Sequence, residues 1–452
     1  MKIIIGLAAF ASLFSASVFA KSTLTDEQRF ALLEKRLLEA EKRADKAEAQ
    51  IENLKKISGV NSGDNFISSS QNNSPSLSLK NNDAELKFYG DVEFNLDAAS
   101  RTGSLTSLKT SSNKDWAPGN GERWDINGRI LLGIDGIQHS ENGKYSGFSV
   151  QPLADMKGKM NLDDAAFFFG KQENWLVKIG RFEAYDMFPL NQDTFIEYSG
   201  NTANDLYSDG YGYIYMMKEA RGRSNNGGNL LLSQTLNSWY LELNTLIEDG
   251  SALYVDQRYH GTELENQKNA VYIRPVIAWS QDNFSIAAAM ETNLVNNAYG
   301  YHDASGIWHD QSRRTGYGLK MSLNTLKDDP NNGMVANFNT AYMNAEEEQD
   351  FSAGVNALWH RVELGYIYAH NKIDHFNIAG VNSECENDCA ILAPGRYDIH
   401  TIHTSWQLPN IMNMRNFNIY LGAYASWLDS SAEQEANNQS RYGMRLRFKY
   451  LF

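Results

Sequence analysis

The end of the chain alternates strictly between apolar and polar residues. One face of the last eleven residues consists of Tyr442, Met444, Leu446, Phe448, Tyr450 and Phe452. The other face is mostly basic and consists of Gly443, Arg445, Arg447, Lys449 and Leu451. Because successive side chains of a β-strand point to opposite faces, the pattern predicts a strand that is apolar toward lipid and polar toward a lumen, as in an outer-membrane β-barrel. We interpret Tyr450 and Phe452 as its periplasmic girdle and membrane-insertion signal.

The same period of two begins at Glu85. Leu86 and Phe88 share one face of this first predicted strand, whereas Asp91 and Glu93 lie on the other. The polar face of the first strand is therefore largely acidic, and that of the last strand is basic. Since opposite charges across a strand pair are favourable, we expect the first and last strands to pair and close the barrel.

The number of strands follows from loop lengths, because bacterial barrels have an even strand number, short periplasmic turns and long outer loops. Plain alternation gives seventeen segments and places the long stretch 249–269 on the periplasmic side. Asp209-Gly210 is a two-residue hairpin signal. One extra strand before it makes the strand number even and places 249–269 on the outer side. The fold class is therefore an all-β, antiparallel transmembrane β-barrel of eighteen strands, with sixteen as the alternative. The predicted strands cover 85–97, 122–137, 144–154, 163–171, 174–182, 203–208, 211–219, 228–235, 238–248, 270–280, 283–293, 314–325, 333–343, 350–359, 362–372, 396–408, 415–428 and 440–452.

Tryptophans give a separate indication of the membrane boundaries, because indole side chains prefer membrane–water interfaces. Seven of the nine fall beside predicted strand ends, five at periplasmic turns and two at outer ends. They are Trp175, Trp239, Trp279, Trp359 and Trp406 on the periplasmic side, and Trp124 and Trp427 on the outer side.

Three segments of different composition precede the predicted barrel domain of 85–452. Residues 1–20 have a basic start, an apolar run and a small-residue cleavage site, as in a secretory signal peptide. Residues 21–57 carry apolar residues at alternating steps of three and four, which predicts a periplasmic coiled-coil helix that pairs with copies of itself. A solitary amphipathic helix on the membrane is the alternative. Residues 58–84 are rich in Ser, Asn and Gly and are expected to form a flexible linker.

Charge and cysteine content narrow the class of protein. A formal net charge of −14 argues against nucleic-acid binding. Cys385 and Cys389 are the only cysteines, and in an exported protein they form either a small loop disulfide or two separate thiols. No histidine accompanies them at zinc-site spacing, so we expect neither a metal site nor a cofactor.

The predicted outer connection 183–202 combines acidic and aromatic residues. Such an amphipathic loop can fold into the barrel and narrow it; an outer surface loop packed on its neighbours is the alternative. Its candidate solute-contacting residues are Tyr185, Asp186, Phe188, Asp193 and Glu197.

Tyrosines at inward strand positions form a second candidate set. Aromatic rings near charges bind sugars weakly, which suits a channel because the solute must also leave. For each tyrosine the alternative is filling of the lumen or packing of a loop. The set consists of Tyr89, Tyr240, Tyr272, Tyr420 and Tyr424.

The order of segments resembles that of the sugar-specific glycoporins of the sucrose and raffinose porin type, and more distantly that of maltoporin. Ile179-Gly180-Arg181-Phe182 is similar to the Gly-Lys-Arg-Phe run before the constricting third loop of maltoporins, and Phe88-Tyr89-Gly90 is similar to their first-strand Phe-His-Gly. The resemblance implies a homotrimer in outer-membrane lipid, passive uptake of oligosaccharides and an aromatic slide. It also implies that Arg181 and Arg129 are constriction arginines, although strict alternation would point Arg181 outward unless Gly180 lets the chain leave the strand.

The sequence departs from maltoporins at three positions. Asp91 and Glu93 stand where maltoporins have Tyr and Arg, and Leu451 replaces an inward Trp. We therefore expect a channel for facilitated diffusion of di- to tetrasaccharides and small ions, with a general porin as the alternative. A lipid-modifying enzyme of the outer membrane is a weaker alternative, because only His400 and His403 near Ser405 offer a candidate catalytic set and they lack the turn context; we expect no enzymatic activity.

Overall fold

The computed structural model describes residues 77–100, 122–192, 214–374, 394–430 and 440–452, with short gaps at 82, 157, 224–225, 255–256, 260–261, 304 and 331. Several predictions lie outside these residues. They concern the signal peptide of 1–20, the coiled-coil helix of 21–57, the linker as far as residue 76, Asp193, Glu197, the strand of 203–208, the first three residues of the strand of 211–219, and the cysteines Cys385 and Cys389.

The secondary structure of the described residues is almost entirely β. The strands are β1 Leu77–Asn81, β2 Ala84–Ser100, β3 Glu122–His139, β4 Lys144–Asp155, β5 Met160–Lys171, β6 Trp175–Arg181, β7 Gly228–Leu236, β8 Trp239–Asp249, β9 Arg258–Tyr259, β10 Thr262–Glu263, β11 Glu265–Asn266, β12 Asn269–Gln281, β13 Phe284–Asn293, β14 Tyr299–His302, β15 Trp308–Asp310, β16 Arg314–Asn324, β17 Met334–Ala345, β18 Glu348–Trp359, β19 Val362–Ile373, β20 Gly395–Leu408, β21 Phe417–Ser430 and β22 Ser440–Leu451. Two short 3-10 helices occupy Gly250–Leu253 and Ile411–Asn413. Within the described ranges, no helix combines the length and the apolar character needed to cross a membrane.

The main sheet has 17 strands, and all but β1 form a closed antiparallel ring. Its order follows the chain from β2 to β8, then through β12, β13 and β16 to β22, which pairs back to β2. The count of eighteen is therefore wrong and the alternative of sixteen is correct. β6 pairs directly with β7, and residues 214–219 of the predicted strand 211–219 are not a strand. The apolar residues there recur because they pack inside the barrel, as described below.

The seam between β2 and β22 pairs acidic with basic side chains, which confirms the predicted closure. Glu93 lies opposite Lys449, and Asp97 lies opposite Arg445. Arg445 donates hydrogen bonds of 2.7 and 2.6 Å from Nε and Nη2 to the Asp97 carboxylate. Arg447 Nη2 lies 3.0 Å from Glu93 Oε1. The two ends of the barrel are thus joined by backbone pairing and by ion pairs on the inner face.

A short additional strand, β1, precedes the first predicted strand. β1 pairs with the lower part of β2, with Leu77 opposite Phe88 and Leu79 opposite Leu86. The predicted linker of 58–84 therefore contains a short hairpin strand, which its polar composition concealed. β1 lies along the same edge of β2 as β22, beyond the end of the chain at Phe452. Phe452 and Gly90 exchange backbone hydrogen bonds of 2.8 and 3.0 Å.

Large apolar side chains on the outer face of the barrel are exposed, while alternate side chains are buried inside. In β8, for example, Trp239 and Leu241 are exposed and the intervening Tyr240 is buried. Trp239 lies opposite Trp279, so two predicted periplasmic tryptophans are neighbours at one end of the wall. Trp427, near the outer end of β21, is exposed as well. These tryptophans therefore lie at strand ends, as predicted.

Candidate functional site

The connection between β6 and β7 runs into the barrel. Gly180, near its start, has φ +136°, a conformation that glycine adopts without the steric cost that a Cβ would add. Phe182 and Phe188, beyond it, are buried. We call the two described parts of this connection, residues 182–192 and 214–223, the lumen loop.

The first arm of the lumen loop packs against inward side chains of β8, β12 and β16. The Tyr185 backbone N–H donates to Glu242 Oε1 at 3.1 Å, and the Tyr185 ring stacks on Tyr240 with centroids 5.9 Å apart. Arg274 Nη1 donates to the Tyr185 carbonyl at 2.9 Å. Lys320 Nζ donates to the Asp186 carbonyl at 3.0 Å. These contacts fix the arm along the inner wall.

The second arm returns along β13, β16 and β18. Tyr215 donates from its hydroxyl to Glu291 at 2.5 Å and accepts a hydrogen bond at its carbonyl from the Ser352 hydroxyl. Glu219 accepts three hydrogen bonds of 2.8 to 3.1 Å from the Arg314 guanidinium. The recurrent apolar residues of 214–219 therefore pack against this wall, and their spacing resembles that of a membrane strand.

Glycines on the inner wall receive large side chains of the lumen loop. A Cβ at any of three inward glycines would collide with a loop side chain, and at Gly354 it would lie 2.8 Å from Phe188 Cζ. The loop therefore fits into depressions that only glycine leaves open. The three pairs of wall and loop residue are Gly316 with Tyr215, Gly318 with Met217, and Gly354 with Phe188.

Arg221, on the second arm, ties the two arms together. Its Nη2 lies 2.8 Å from Glu183 Oε2 and 3.5 Å from Asp186 Oδ2. Burial by itself would raise the pKa of Asp186, but the positive charges of Arg221, Lys320 and Lys218 lower the pKa to about 2. The Asp186 carboxylate is therefore ionised at neutral pH.

Arg223 ties the loop to the barrel wall at β5. Its Nε lies 2.7 Å from Asp164 Oδ1, and its Nη1 lies 3.2 Å from Asp163 Oδ1 and 3.5 Å from Glu183 Oε1. Burial lowers the pKa of Arg223, but the three carboxylates outweigh it and raise the pKa above its ordinary value. Its side chain remains 21% exposed, so this cluster is part of the surface that a solute can reach.

The two arginines expected at a constriction lie on different strands. Arg129 is on the inner face of β3, with Nη2 3.6 Å from Asp91 Oδ2 and the side chain 20% exposed. Arg181 ends β6 opposite Ala165, and its Nε donates to the carbonyls of Leu162 and Asp163 at 2.8 and 3.0 Å. Arg181 thus lies against the start of β5.

The inward tyrosines differ in exposure. Tyr185 of the lumen loop is 8% exposed, and the wall residues Tyr240 and Tyr272 are 3% and 0% exposed, because Tyr185 stacks on Tyr240 and Tyr299 contacts Tyr272. Tyr272 shares a hydrogen bond of 2.7 Å with Tyr299. Tyr89 and Tyr424 are also buried, and Tyr89 donates to Asp135 at 3.0 Å. Tyr420 remains partly exposed and accepts a hydrogen bond of 3.1 Å from Gln407.

Sequence reasoning missed Arg221, Arg223 and the wall glycines. Arg221 and Arg223 are two residues apart and flank Gly222, which has φ +118°; an Arg-Gly-Arg turn following an acidic loop is a signal that could have been used. The glycines were visible as inward positions without a side chain, but their partners are more than 90 residues away in sequence. Throughout the described part of the chain, no group of three or more His, Cys, Asp or Glu side chains is arranged to hold a metal ion.

Comparison with known proteins gives a family. A family model described as porin-like glycoporin RafY matches residues 88–452. No curated protein sequence matches the chain. Among solved structures, the chain is similar to OmpT, an outer membrane protein of Vibrio cholerae, with 9% identity, 83% of this chain and 99% of that chain covered, and a TM-score of 0.49. It is similar to an anion-selective porin from Comamonas acidovorans, with 12% identity, coverage of 82% and 100%, and a TM-score of 0.48.

A third similar structure is OprB of Pseudomonas putida, with 9% identity, coverage of 81% and 94%, and a TM-score of 0.49. Structural likeness this distant supports no conclusion about function. The family match, in contrast, spans nearly the whole barrel that the strands close. The chain belongs to the family of porin-like glycoporins typified by RafY, and it is a porin channel of the outer membrane.

Proposed function

We propose that this porin is a homotrimer that takes up di- to tetrasaccharides, such as sucrose or raffinose, by facilitated diffusion together with small ions. The observation that carries the proposal is the lumen loop, which crosses a glycoporin barrel beside partly exposed charges of both signs. Transport of this kind needs no cofactor and no catalytic group.

The surface left open beside the lumen loop is suited to weak sugar binding. Arg129, Arg223 and Glu183 have side chains that are 20 to 21% exposed, and Tyr420 offers a partly exposed ring. Guanidinium and carboxylate groups already paired with each other can still bind sugar hydroxyls through their remaining donors and acceptors. A hydroxyl-rich solute would thus be held briefly and released.

A general porin is the second candidate, and the burial of tyrosines favours it. Tyr185, Tyr240 and Tyr272 are at most 8% exposed, so they hold the loop on the wall and do not present their rings to the lumen. An aromatic slide would then consist of fewer rings than the resemblance to maltoporins implies.

Sugar-dependent block of ion current distinguishes the two candidates. In planar bilayers, millimolar raffinose or sucrose should block the current saturably, and Tyr420→Ala or Arg129→Ala should weaken the block because each removes a contact from the open surface. Tyr317→Ala is the matched control, because Tyr317 is exposed on the outer face of β16. Current that no sugar in a panel from di- to tetrasaccharides blocks would leave the general porin.

The predicted periplasmic helix of 21–57 is proposed to act apart from assembly of the barrel. We expect a chain that lacks residues 21–57 to form trimers as stable to heat and detergent as the full chain, because barrel walls supply most of the contact in porin trimers. Electrophoresis without boiling measures this. Monomers after the deletion would show instead that the coiled coil drives assembly.

A further inference from the structure

A glutamate on the barrel wall binds Asn191 and Gln192, the last two described residues of the first arm, which we call the loop tip. Glu363 is the second residue of β19, and its exposed fraction is 0%. The backbone N–H of Asn191 donates to Glu363 Oε1 at 3.1 Å, and that of Gln192 donates to Oε2 at 2.6 Å. Two consecutive amides of the loop are thus bound by the two oxygens of one carboxylate.

A network of side-chain amides surrounds this contact. Asn191 donates from Nδ2 to Asn356 Oδ1 at 2.6 Å, and its own Oδ1 accepts from Asn337 Nδ2 at 3.0 Å. Asn356 Nδ2 donates to the Pro189 carbonyl at 3.0 Å. Three wall residues, Glu363, Asn356 and Asn337, on three different strands therefore bind polar groups of the loop tip.

Gln192 extends the network to β20 and to the turn between β18 and β19. Its Oε1 accepts from the Ser405 hydroxyl at 2.9 Å on β20, and its Nε2 donates to the Arg361 carbonyl at 3.1 Å. The first arm thus starts at β6 and reaches the inner wall of β18 to β20. Its contacts follow the inner wall from β8 to β20.

The Glu363 side chain is not required for closure of the barrel. β19 pairs through its backbone with β18 and β20 along its whole length, and these hydrogen bonds do not involve side chains. A buried carboxylate costs free energy unless it is hydrogen-bonded, and charged acceptors of backbone N–H groups form strong hydrogen bonds. The carboxylate at this position is therefore best explained by what it binds, which is the loop tip.

We propose that Glu363 is a positioning residue of the pore, which holds the tip of the lumen loop on the wall of β18 to β20 and thereby sets the size limit for solutes. The inference rests on the proposed function, because it assumes that solutes pass beside the lumen loop. It does not depend on which solutes are bound.

The test uses Glu363→Gln in the full-length trimer, because the change keeps the side-chain size but replaces one acceptor oxygen by a donor. We expect a higher single-channel conductance and entry of larger neutral polyethylene glycols than in the wild type. Glu363→Asp, which keeps both acceptors, should restore most of the wild-type size limit. Glu93→Gln is the control for loss of an inward carboxylate, because Glu93 pairs with Arg447 at the seam; its size limit should not change.

A second variant keeps the proposal testable if Glu363→Gln does not fold. Gln192→Pro removes the N–H that donates at 2.6 Å to Glu363 and changes no residue of the barrel wall. It should enlarge the polymer size limit in the same way. An unchanged limit in folded Gln192→Pro or Glu363→Gln trimers would overturn the proposal. Because the probe is a polymer, absence of sugar block would refute the sugar channel and leave this result unaffected.

Discussion

Leucine in place of Gly354 should open the channel, with a several-fold rise in single-channel conductance. Gly354 lies on the inner face of β18, and even a Cβ there would approach Phe188 Cζ to 2.8 Å and Cε1 to 2.9 Å. Overpacking of this kind costs about 1–3 kcal/mol. The first arm is held to the second by one isolated β-bridge, between Glu183 and Gly222, whereas the wall is held by the β-ladder on both sides of β18. The loop should therefore move away from the wall.

The matched control for this change is Gly422→Leu. Gly422 is a buried glycine of β21, between Tyr420 and Tyr424, and a Cβ there would find its nearest neighbour at 3.8 Å. A Cβ there makes only ordinary van der Waals contacts and meets no side chain of the lumen loop, so the conductance of this variant should stay equal to that of the wild type or fall. Planar-bilayer recordings of both variants measure the difference. Equal conductance of Gly354→Leu and wild type would mean that Phe188 does not hold the loop.

The barrel strands were predictable because a membrane wall imposes one rule on every strand. Lipid requires an apolar outer face, and alternation then reveals strand after strand, as in β8 and β12. Turns were harder where no turn residue marks them. The β18–β19 reversal uses His360 and Arg361, both with positive φ of 45° and 69°, and only the alternation on either side locates it. Glycine or asparagine would be the usual residues for such a turn.

A recurrent apolar pattern does not identify a membrane strand where a segment packs on protein instead of lipid. Residues 214–219 carry recurrent apolar side chains because Tyr215 and Met217 fit against Gly316 and Gly318, so sequence alone cannot distinguish this arm from a membrane strand. The same limit applies to Tyr272. Its inward position was predictable, but its coverage by other loop residues depends on contacts such as that with Tyr299, which are distant in sequence.

The largest loss of stability is expected from a substitution in the ion pair at the seam between the first and last strands. Arg445 binds Asp97 with two hydrogen bonds, and the two side chains are 7% and 2% exposed. Removing one partner of a buried ion pair leaves an uncompensated charge, which typically costs about 3–5 kcal/mol. Arg445→Met should therefore lower the free energy of unfolding by about that amount. Urea titration of the folded protein in lipid vesicles, followed by tryptophan fluorescence, measures the change.

A double substitution tests whether the loss comes from the stranded carboxylate. Asp97→Asn added to Arg445→Met should recover much of the lost stability, because the amide carries no charge and Asn127 Nδ2, which donates to Asp97 Oδ2 at 2.8 Å, can still donate to the remaining oxygen. Lys372→Met is the exposed control: Lys372 and Asp374 also pair at 3.0 Å, but their side chains are 44% and 55% exposed, and exposed pairs contribute little. If Arg445→Met unfolds at the same urea concentration as Lys372→Met, the charged seam does not stabilise closure, and the backbone ladder between β2 and β22 alone accounts for it.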